Sequence, residues 1–315
     1  MAHTVRKAGV VGWPIGHSLS PVLHRKWLAD AGIHGSYDPV EAEPHDFAAT
    51  IEKLVKDGWM GVNVTIPHKI QALELADHTD EAASLAGAAN TLFFQSDGRI
   101  RASNSDGYGF VAHLQARLGE AGLAFKGNVK ILILGAGGAA RGIVPALAGL
   151  ESVTVHGWIA NRTRDRASQL ATECKMRFGL DVEGVDLQSV HDLLPELDLL
   201  VNTTSLGMSG QAPMIALPEH HLFERLIVYD LVYRPLETEL LRWAKRHARL
   251  GIDGLGMLIH QAVPGFCGWF DPSSSPRIDD ELHRFLAQQM HQRSIMAPMN
   301  GGVGDESPTK ENGQA

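Results

Sequence analysis

Residues 129–141 read VKILILGAGGAAR, and this stretch decides the fold class of the chain. Its first six residues are mostly aliphatic and do not alternate with polar ones, as in a strand buried on both faces. The strand leads into Gly135-x-Gly137-x-x-Ala140, where Gly135 allows a tight turn and Gly137 lets backbone approach a pyrophosphate at a helix start. Ala140 replaces the usual third glycine and still packs closely. The pattern predicts the entrance to a dinucleotide-binding fold, although a plain strand-to-helix turn can use the same residues.

The chain after this loop alternates strands and helices as far as residue 253. Helices between successive strands favour a parallel, doubly wound sheet. Pro145 falls inside the first helix, where it predicts a kink. The predicted strands span residues 129–134, 153–160, 197–202 and 227–231, with a short one near residue 180.

The first hundred residues also read as mixed strands and helices. Ser20-Pro21 reads as a helix cap followed by a proline at the first helical position, and Asp97-Gly98 reads as a hairpin turn. Pro67 is expected to open a helix with Lys69 in its first turn. The predicted strands span residues 8–12, 36–41, 61–65, 89–94 and 99–103, and the predicted helices include residues 46–56, 80–86 and 108–118. Further helices are expected from residue 253 and over residues 279–289.

Composition limits the classes of function. The chain has 315 residues and a formal net charge of −8, which argues against a broad surface for nucleic acid or for an anionic membrane. No apolar run reaches the roughly 18 residues that a membrane span needs. Cys174 and Cys267 are too few for a disulfide framework or a zinc site, so we expect a cytoplasmic protein. No histidine and cysteine cluster indicates a metal, and no Gly-x-Ser-x-Gly motif indicates a hydrolase.

The end of the second strand after the glycine loop indicates which dinucleotide is bound. An NAD enzyme usually has an acidic residue here, which hydrogen-bonds the ribose 2′-hydroxyl. This chain has Asn161 there, followed by several arginines, including Arg162 and Arg166. Arginines at a helix N-terminus oppose the helix dipole unless an anion is present. We therefore predict NADP, and the alternative is a solvated basic helix start.

Polar side chains at successive element ends indicate a pocket for a small polyhydroxylated ligand. Asn63 and Thr65 point to the same side of a strand, and Lys69 lies just beyond its end. Asn90 and Asp106 follow at later element ends. Ser18 and Ser20 could converge on a substrate carboxylate, but the residues alone favour a simple cap for Ser20. His68 is interpreted as a loop or packing residue and not as a base.

Seven motifs occur in an order that resembles the shikimate dehydrogenase family, over about residues 10–286. They are GHSLSP, NVTIPHK, GAANT, NSDG, GAGGAAR, NRT and DGLGMLIHQ. The resemblance implies NADPH-dependent reduction of 3-dehydroshikimate to shikimate, a step in the biosynthesis of chorismate and aromatic amino acids. It also implies that Lys69 is the general acid and base, paired with Asp106. Ser20 favours shikimate over quinate, because relatives that also use quinate tend to have a larger residue there.

The resemblance carries over to individual positions of this chain. It implies substrate binding by residues in both outer parts of the chain: Ser18, Ser20, Asn63, Thr65, Asn90, Tyr233 and Gln261. It implies cofactor binding by the glycine loop, the following strand end and the nicotinamide surroundings: Gly135, Gly137, Gly138, Ala139, Asn161, Arg162, Thr163, Arg166, Thr204, Leu231, Gly254 and Met257.

Pocket residues on both sides of the glycine loop predict a discontinuous substrate domain. We expect an α/β protein in which residues 1–106 plus 254–292 form the substrate-binding domain and residues 107–253 a Rossmann-like NADP domain, with the cleft between them. The polar tail of residues 293–315 is predicted to be disordered. We expect a monomer or homodimer whose partner is a small-molecule substrate. The alternatives are a quinate or aminoshikimate dehydrogenase of the same superfamily, or a non-catalytic nucleotide or metabolite sensor.

Overall fold

The computed structural model describes residues 5–296, the last three of them by backbone only. The strands are β1 (Arg6–Gly12), β2 (Gly35–Glu41), β3 (Gly61–Val64), β4 (His78–Thr79), β5 (Thr91–Phe94), β6 (Ile100–Ser103), β7 (Gly127–Leu134), β8 (Val153–Asn161), β9 (Asp181–Asp186), β10 (Leu199–Asn202), β11 (Phe223–Asp230) and β12 (Ala248–Ile252). The α-helices are α1 (Ser20–Asp30), α2 (Phe47–Lys56), α3 (Lys69–Glu74), α4 (Glu81–Ala86), α5 (Asp106–Glu120), α6 (Gly138–Leu147), α7 (Arg164–Phe178), α8 (Val190–Leu193), α9 (Glu239–His247), α10 (Leu255–Phe270) and α11 (Asp280–Met296).

The first sheet has the strand order β2-β1-β3-β5-β6-β4. Strand β5 runs antiparallel to β3 and β6, and the other pairs are parallel. The predicted hairpin at Asp97-Gly98 is confirmed, because it connects β5 to β6. Helices α1, α10 and α11 cover one face through a core that includes Trp27 and Trp269. Helix α2 covers the other face with Phe47 and Ile51.

The second sheet has the order β12-β11-β10-β7-β8-β9, and every neighbouring pair is parallel. Counted from β7, this is the strand order of dinucleotide-binding folds, with the topological switch between β7 and β10. The predicted doubly wound sheet is therefore confirmed. Gly157 in β8 faces Ile131 of β7, and a Cβ added there would lie 1.9 Å from the Ile131 carbonyl oxygen. Close strand packing explains this glycine.

Helices α5 and α10 cross between the two sheets. Phe110, Leu114 and Leu118 of α5 lie in the core of the second sheet, whereas most buried residues of α10 lie in the core of the first. The two helices touch where Gly109 meets Gln261, since a Cβ added at Gly109 would lie 2.7 Å from the Gln261 Cβ. The chain therefore leaves and re-enters the first sheet through one pair of packed helices.

The structure corrects several predictions. Ser20 is the first residue of α1 and not its cap; Leu19 holds the cap position, and the backbone N–H of Ser20 donates to Ser18 Oγ at 3.3 Å. Pro67 does not open α3, which begins at Lys69. Strands β4 and β12 were not predicted. Strand β4 is only two residues long, and the sequence of β12 shows neither an apolar run nor an alternation of apolar and polar residues.

The predicted disordered tail of residues 293–315 begins too early. Helix α11 continues to Met296, so residues 293–296, which we predicted as part of the tail, are helical. The rest of the predicted tail, residues 297–315, lies outside the described residues. Pro145 lies within α6, and the predicted kink there stays a prediction. Within residues 5–296, the structure has no helix with the length and apolar content of a membrane span.

Candidate active site

Lys69 and Asp106 form an ion pair, with 2.6 Å between Lys69 Nζ and Asp106 Oδ2. Lys69 begins α3, just after the C-terminal end of β3, and Asp106 begins α5, just after β6. The Asp106 side chain is 6% exposed, whereas that of Lys69 is 27% exposed. A carboxylate in the first turn of a helix is favoured by the helix dipole. The carboxylate is therefore fixed, and the ammonium can reach a ligand or solvent.

Asn90 holds the other oxygen of this carboxylate. Its Nδ2 donates to Asp106 Oδ1 at 2.8 Å. Its Oδ1 accepts from the Thr91 hydroxyl and from both the backbone N–H and the hydroxyl of Ser105. Asn104 Oδ1 accepts from the Asp106 backbone N–H at 3.0 Å. Buried polar groups are costly unless bonded, so this network fixes the orientation of the Asn90 amide.

Tyr37 joins the same network through Asn63, and sequence reasoning missed it. Its hydroxyl donates to Asn63 Oδ1 at 2.6 Å. Asn63 Nδ2 in turn donates to Thr91 Oγ1 at 3.1 Å. A continuous chain of hydrogen bonds therefore runs from Tyr37 to Lys69. Tyr37 stands in an edge strand with no motif around it, so nothing in the sequence singled it out.

The remaining predicted substrate residues lie next to the first sheet, its helices or α5. Ser18 precedes α1, and its hydroxyl accepts from the Ser20 backbone N–H. Thr65 follows β3 and packs closely on Gly12 of β1, since a Cβ added at Gly12 would lie 2.5 Å from Thr65 Cγ2. Gln261 packs against Gly109, which lies one turn after the start of α5. Tyr233 lies at the edge of the first core, where burial raises the pKa of its hydroxyl. The described residues provide no hydrogen-bond partner for the side chains of Thr65 and Gln261, which leaves both available to a ligand.

The glycine loop lies at the C-terminal edge of the second sheet. Gly135 has φ of +104°, and a Cβ there would lie 2.7 Å from Thr203 Oγ1, so only glycine fits. Gly137 caps α6 and Gly138 begins it, and an added Cβ at either position would meet nothing within 4 Å. The two residues at the start of this ten-residue helix are therefore exposed, and the next residue, Ala139, is half-buried.

The end of β8 lies beside this loop, because the Gly135 N–H donates to the Ala160 carbonyl at 2.8 Å. Asn161 Nδ2 donates to the Thr163 carbonyl at 2.9 Å and closes the turn, and Thr163 holds the cap position of α7. The side chains of Arg162 and Arg166 are exposed and have no ion pair or hydrogen bond within the described part of the chain. Two guanidiniums are therefore free near the glycine loop.

The predicted nicotinamide residues lie at the ends of the neighbouring strands. Thr204 Oγ1 donates to Asn202 Oδ1 at 2.6 Å, just after β10. A Cβ added at Gly254 would lie 2.1 Å from the Leu231 carbonyl oxygen, so residue 254 must be glycine to approach the end of β11. Met257 and Leu231 pack in the same core. The cofactor candidates therefore share one edge of the second sheet, across β8, β7, β10 and β11.

His68 next to the lysine is a packing residue, as predicted. It is fully buried and stacks on Phe47, with 4.5 Å between ring centroids. Its Nε2 bonds the Ala42 carbonyl oxygen at 2.8 Å, and its Nδ1 contacts the Gln71 side chain at 3.3 Å. Residues 5–296 contain no cluster of three or more histidine, cysteine or acidic residues that could hold a metal ion.

The helix that starts at the glycine loop also contacts the ion pair. A Cβ added at Gly142 of α6 would lie 3.1 Å from Asp106 Cβ. A doubly wound dinucleotide sheet joined in this way to a partly exposed lysine and a fixed aspartate is an arrangement typical of oxidoreductases that act on a CH–OH group. Comparison with known proteins identifies its family more closely.

The family model described as "Shikimate dehydrogenase substrate binding domain" matches residues 10–92, and the model described as "Shikimate / quinate 5-dehydrogenase" matches residues 120–214. The shikimate dehydrogenase (NADP(+)) of Dinoroseobacter shibae is 47% identical over 275 residues, which cover 87% of this chain and 95% of the relative. The chain belongs to the shikimate dehydrogenase family.

Solved structures agree with this assignment. Shikimate 5-dehydrogenase of Thermus thermophilus, in complex with NADP(H) and shikimate, matches with a TM-score of 0.76 and 33% identity, over 91% of this chain and 100% of that one. Quinate dehydrogenase of Corynebacterium glutamicum, in complex with NAD, matches with a TM-score of 0.78 and 26% identity, over 92% of this chain and 99% of that one.

Proposed function

We propose that this chain is an NADP-dependent shikimate dehydrogenase, which reversibly reduces 3-dehydroshikimate to shikimate in the biosynthesis of chorismate and aromatic amino acids. The observation that supports this most is the Lys69–Asp106 pair at 2.6 Å, next to the helix that begins at the glycine loop. A nucleotide sensor has no need of a proton donor there, whereas a carbonyl reductase requires one.

The residues at the edge of the second sheet fit NADP. The open space at Gly137 and Gly138 admits a pyrophosphate to the helix start. Arg162 and Arg166 are free to hold a 2′-phosphate, which an unmodified ribose lacks. When bound, NADPH supplies the hydride for the reduction.

Lys69 supplies the proton. As the carbonyl carbon of the substrate is reduced, negative charge develops on its oxygen, and Lys69 Nζ donates a proton to that oxygen. Asp106 keeps the ammonium in place and is itself held by Asn90 and Asn104. Because the Lys69 side chain is 27% exposed, the resulting neutral amine regains its proton from solvent.

The hydrogen-bond network determines what the two amides offer to the ring hydroxyls. Asn63 Nδ2 donates to Thr91 and to the Asn90 carbonyl, so Asn63 presents its Oδ1 as an acceptor. Asn90 Oδ1 is already saturated, so Asn90 presents its second N–H as a donor. A hydroxyl can donate to the first amide and accept from the second. Ser18 and Ser20, at the start of the eleven-residue α1, suit the carboxylate.

We also propose the division into domains given above. It is supported by the separate cores of the two sheets, with α5 packed mainly into the second and α10 into the first. Cytoplasmic location and a monomeric or homodimeric state stay predictions, which cell fractionation and light scattering can measure. The two free thiols, Cys174 and Cys267, suit a reducing compartment.

The test is a spectrophotometric assay of shikimate and quinate, each with NADP and with NAD. We expect the highest kcat/KM for shikimate with NADP. A higher value for quinate or for NAD would favour the related dehydrogenases, and no turnover of any pair, with NADP still bound, would favour a sensor.

Lys69→Ala tests the catalytic assignment. We expect kcat to fall by a factor on the order of 10² or more, because the proton donor is lost while the cofactor edge is untouched. NADPH binding, followed by its fluorescence, should be unchanged. Lys126→Ala, at an exposed position, is the matched control. Near wild-type turnover of the Lys69 variant would contradict the assignment.

A further inference from the structure

Helices α5 and α6 cross with glycine against glycine. A Cβ added at Gly107 would lie 2.6 Å from the Gly142 carbonyl oxygen and 2.7 Å from the Ala146 Cβ. The two glycines therefore bring the helix axes closer than any larger residue would allow. The consequence falls on Asp106, which immediately precedes Gly107 at the start of α5.

Asp106 has no free space on the side that faces α6. A Cβ added at Gly142 would lie 3.1 Å from Asp106 Cβ and 3.4 Å from Asp106 Oδ2. The same Oδ2 accepts from Lys69 Nζ, and Oδ1 accepts from Asn90. A methyl group at residue 142 would therefore displace the carboxylate by a few tenths of an ångström from its two partners, Lys69 and Asn90.

We propose that Gly142 is a positioning residue for the reaction. Its missing side chain lets Asp106 rest on the helix that begins at the glycine loop, so that the Lys69 ammonium is held at a set distance from the cofactor edge. This inference rests on the proposed function. Gly142 acts through Asp106, the residue that a side chain at position 142 would meet first.

Gly142→Ala separates positioning from folding. Alanine is favoured over glycine inside a helix, so the variant should keep its melting temperature and its affinity for NADPH. Small misplacements of catalytic groups cost activity steeply, so we expect kcat to fall about tenfold or more, with the KM values for substrate and cofactor within about threefold. Shikimate deuterated at the oxidised carbon should show a larger isotope effect on kcat than with the wild type, because the chemical step becomes slower.

Gly119→Ala in α5 is the matched control, because a Cβ there meets nothing within 4 Å. It should behave as the wild type. Wild-type kcat for the Gly142 variant would overturn the proposal, and so would a variant that fails to fold or to bind NADPH, since the methyl group would then disturb helix packing and not Asp106 alone.

The proposed function is judged separately, from the wild type and the Gly119 variant. If neither turns over shikimate with NADP, the proposed function fails. The comparison at residue 142 is then made with whichever hydroxy acid the wild type oxidises.

Discussion

Tyr37 shows how a residue outside every recognised motif can control the site. It is fully buried and stacks on His24, with 3.8 Å between ring centroids and 6° between the planes. Burial raises the pKa of its hydroxyl well above 10.0, so the group stays a donor. Its bond to Asn63 Oδ1, with the bonds of Asn63 Nδ2 to Thr91 and to the Asn90 carbonyl, fixes the orientation of that amide.

Tyr37→Phe should therefore impair recognition of the substrate. Loss of one hydrogen bond of about 1 kcal/mol corresponds to a KM for shikimate about fivefold higher, and more if the Asn63 amide reverses. The KM for NADP should not change, because Tyr37 lies in the first sheet. Tyr108→Phe, at an exposed position, is the control. An unchanged KM for shikimate would show that Asn63 is held without Tyr37.

The pairing of Lys69 with Asp106 marks the limit of prediction at the residue scale. The two residues are 37 positions apart, and neither periodicity nor spacing shows that they meet; the resemblance to a family implied it. The error at Ser20 has a local cause, because Leu19 already adopts a helical conformation and carries the cap position. The residue types alone did not show that the helix begins at Ser20, with Leu19 as its cap and Ser18 before it.

At the scale of elements, we expect the turn from β8 into α7 to determine the choice of cofactor. Arg164 is paired with Asp186 at 3.9 Å, but Arg162 and Arg166 have no such partner in residues 5–296. Arginines near a helix N-terminus are disfavoured unless an anion compensates them. The two arginines left unpaired within the described residues therefore support the proposal that this turn holds a phosphate group.

Replacing both Arg162 and Arg166 with glutamine should remove the preference for NADP. Two charge-assisted bonds of about 1.5–3 kcal/mol each correspond to a factor of about 10²–10⁴ in kcat/KM with NADP. The value with NAD should change little. Arg164→Gln, in the same turn, is the control. An equal loss with both cofactors would mean that the arginines serve the fold and not the 2′-phosphate.

Helices and strands were predicted well where their own residues carry a pattern of apolar or turn residues. The glycine loop, the β5–β6 hairpin and the long buried strands of the second sheet each carry their own pattern of apolar and turn residues. Strand β12 does not, because ARLGI is half polar and becomes a strand only by pairing with β11. The same holds for the contact of Gly107 with Gly142, which depends on how two helices cross.

At the scale of the whole molecule, two buried histidines make stability depend on pH. Burial lowers the pKa of both His24 and His113 from 6.5 to about 3. Below pH 6.5 the unfolded chain binds protons at these residues and the folded protein does not, so stability falls as the pH drops towards 3. Neither ring nitrogen of His24 has a hydrogen-bond partner within the described residues.

His24→Phe should reduce this pH dependence. At about pH 5.5 a histidine of this kind costs the folded state about 1.4 kcal/mol relative to neutral pH, and phenylalanine does not titrate. Thermal unfolding measured from about pH 7.5 to 5 should show a smaller fall in Tm for the variant than for the wild type. His220→Phe, at an exposed position, is the control. An unchanged slope would mean that His24 does not remain neutral in the fold.

The core of the first sheet joins residues 8–37 to residues 255–290, and this has a consequence during synthesis on the ribosome. The N-terminal strands emerge first, but one face of their sheet is covered only by α1 until α10 and α11 follow. The second sheet draws its core from residues 110–257 and is complete earlier. Arg293, near the end of α11, donates to the Ser18 carbonyl at 2.9 Å. We therefore expect the nascent chain to bind a dinucleotide before its substrate pocket exists.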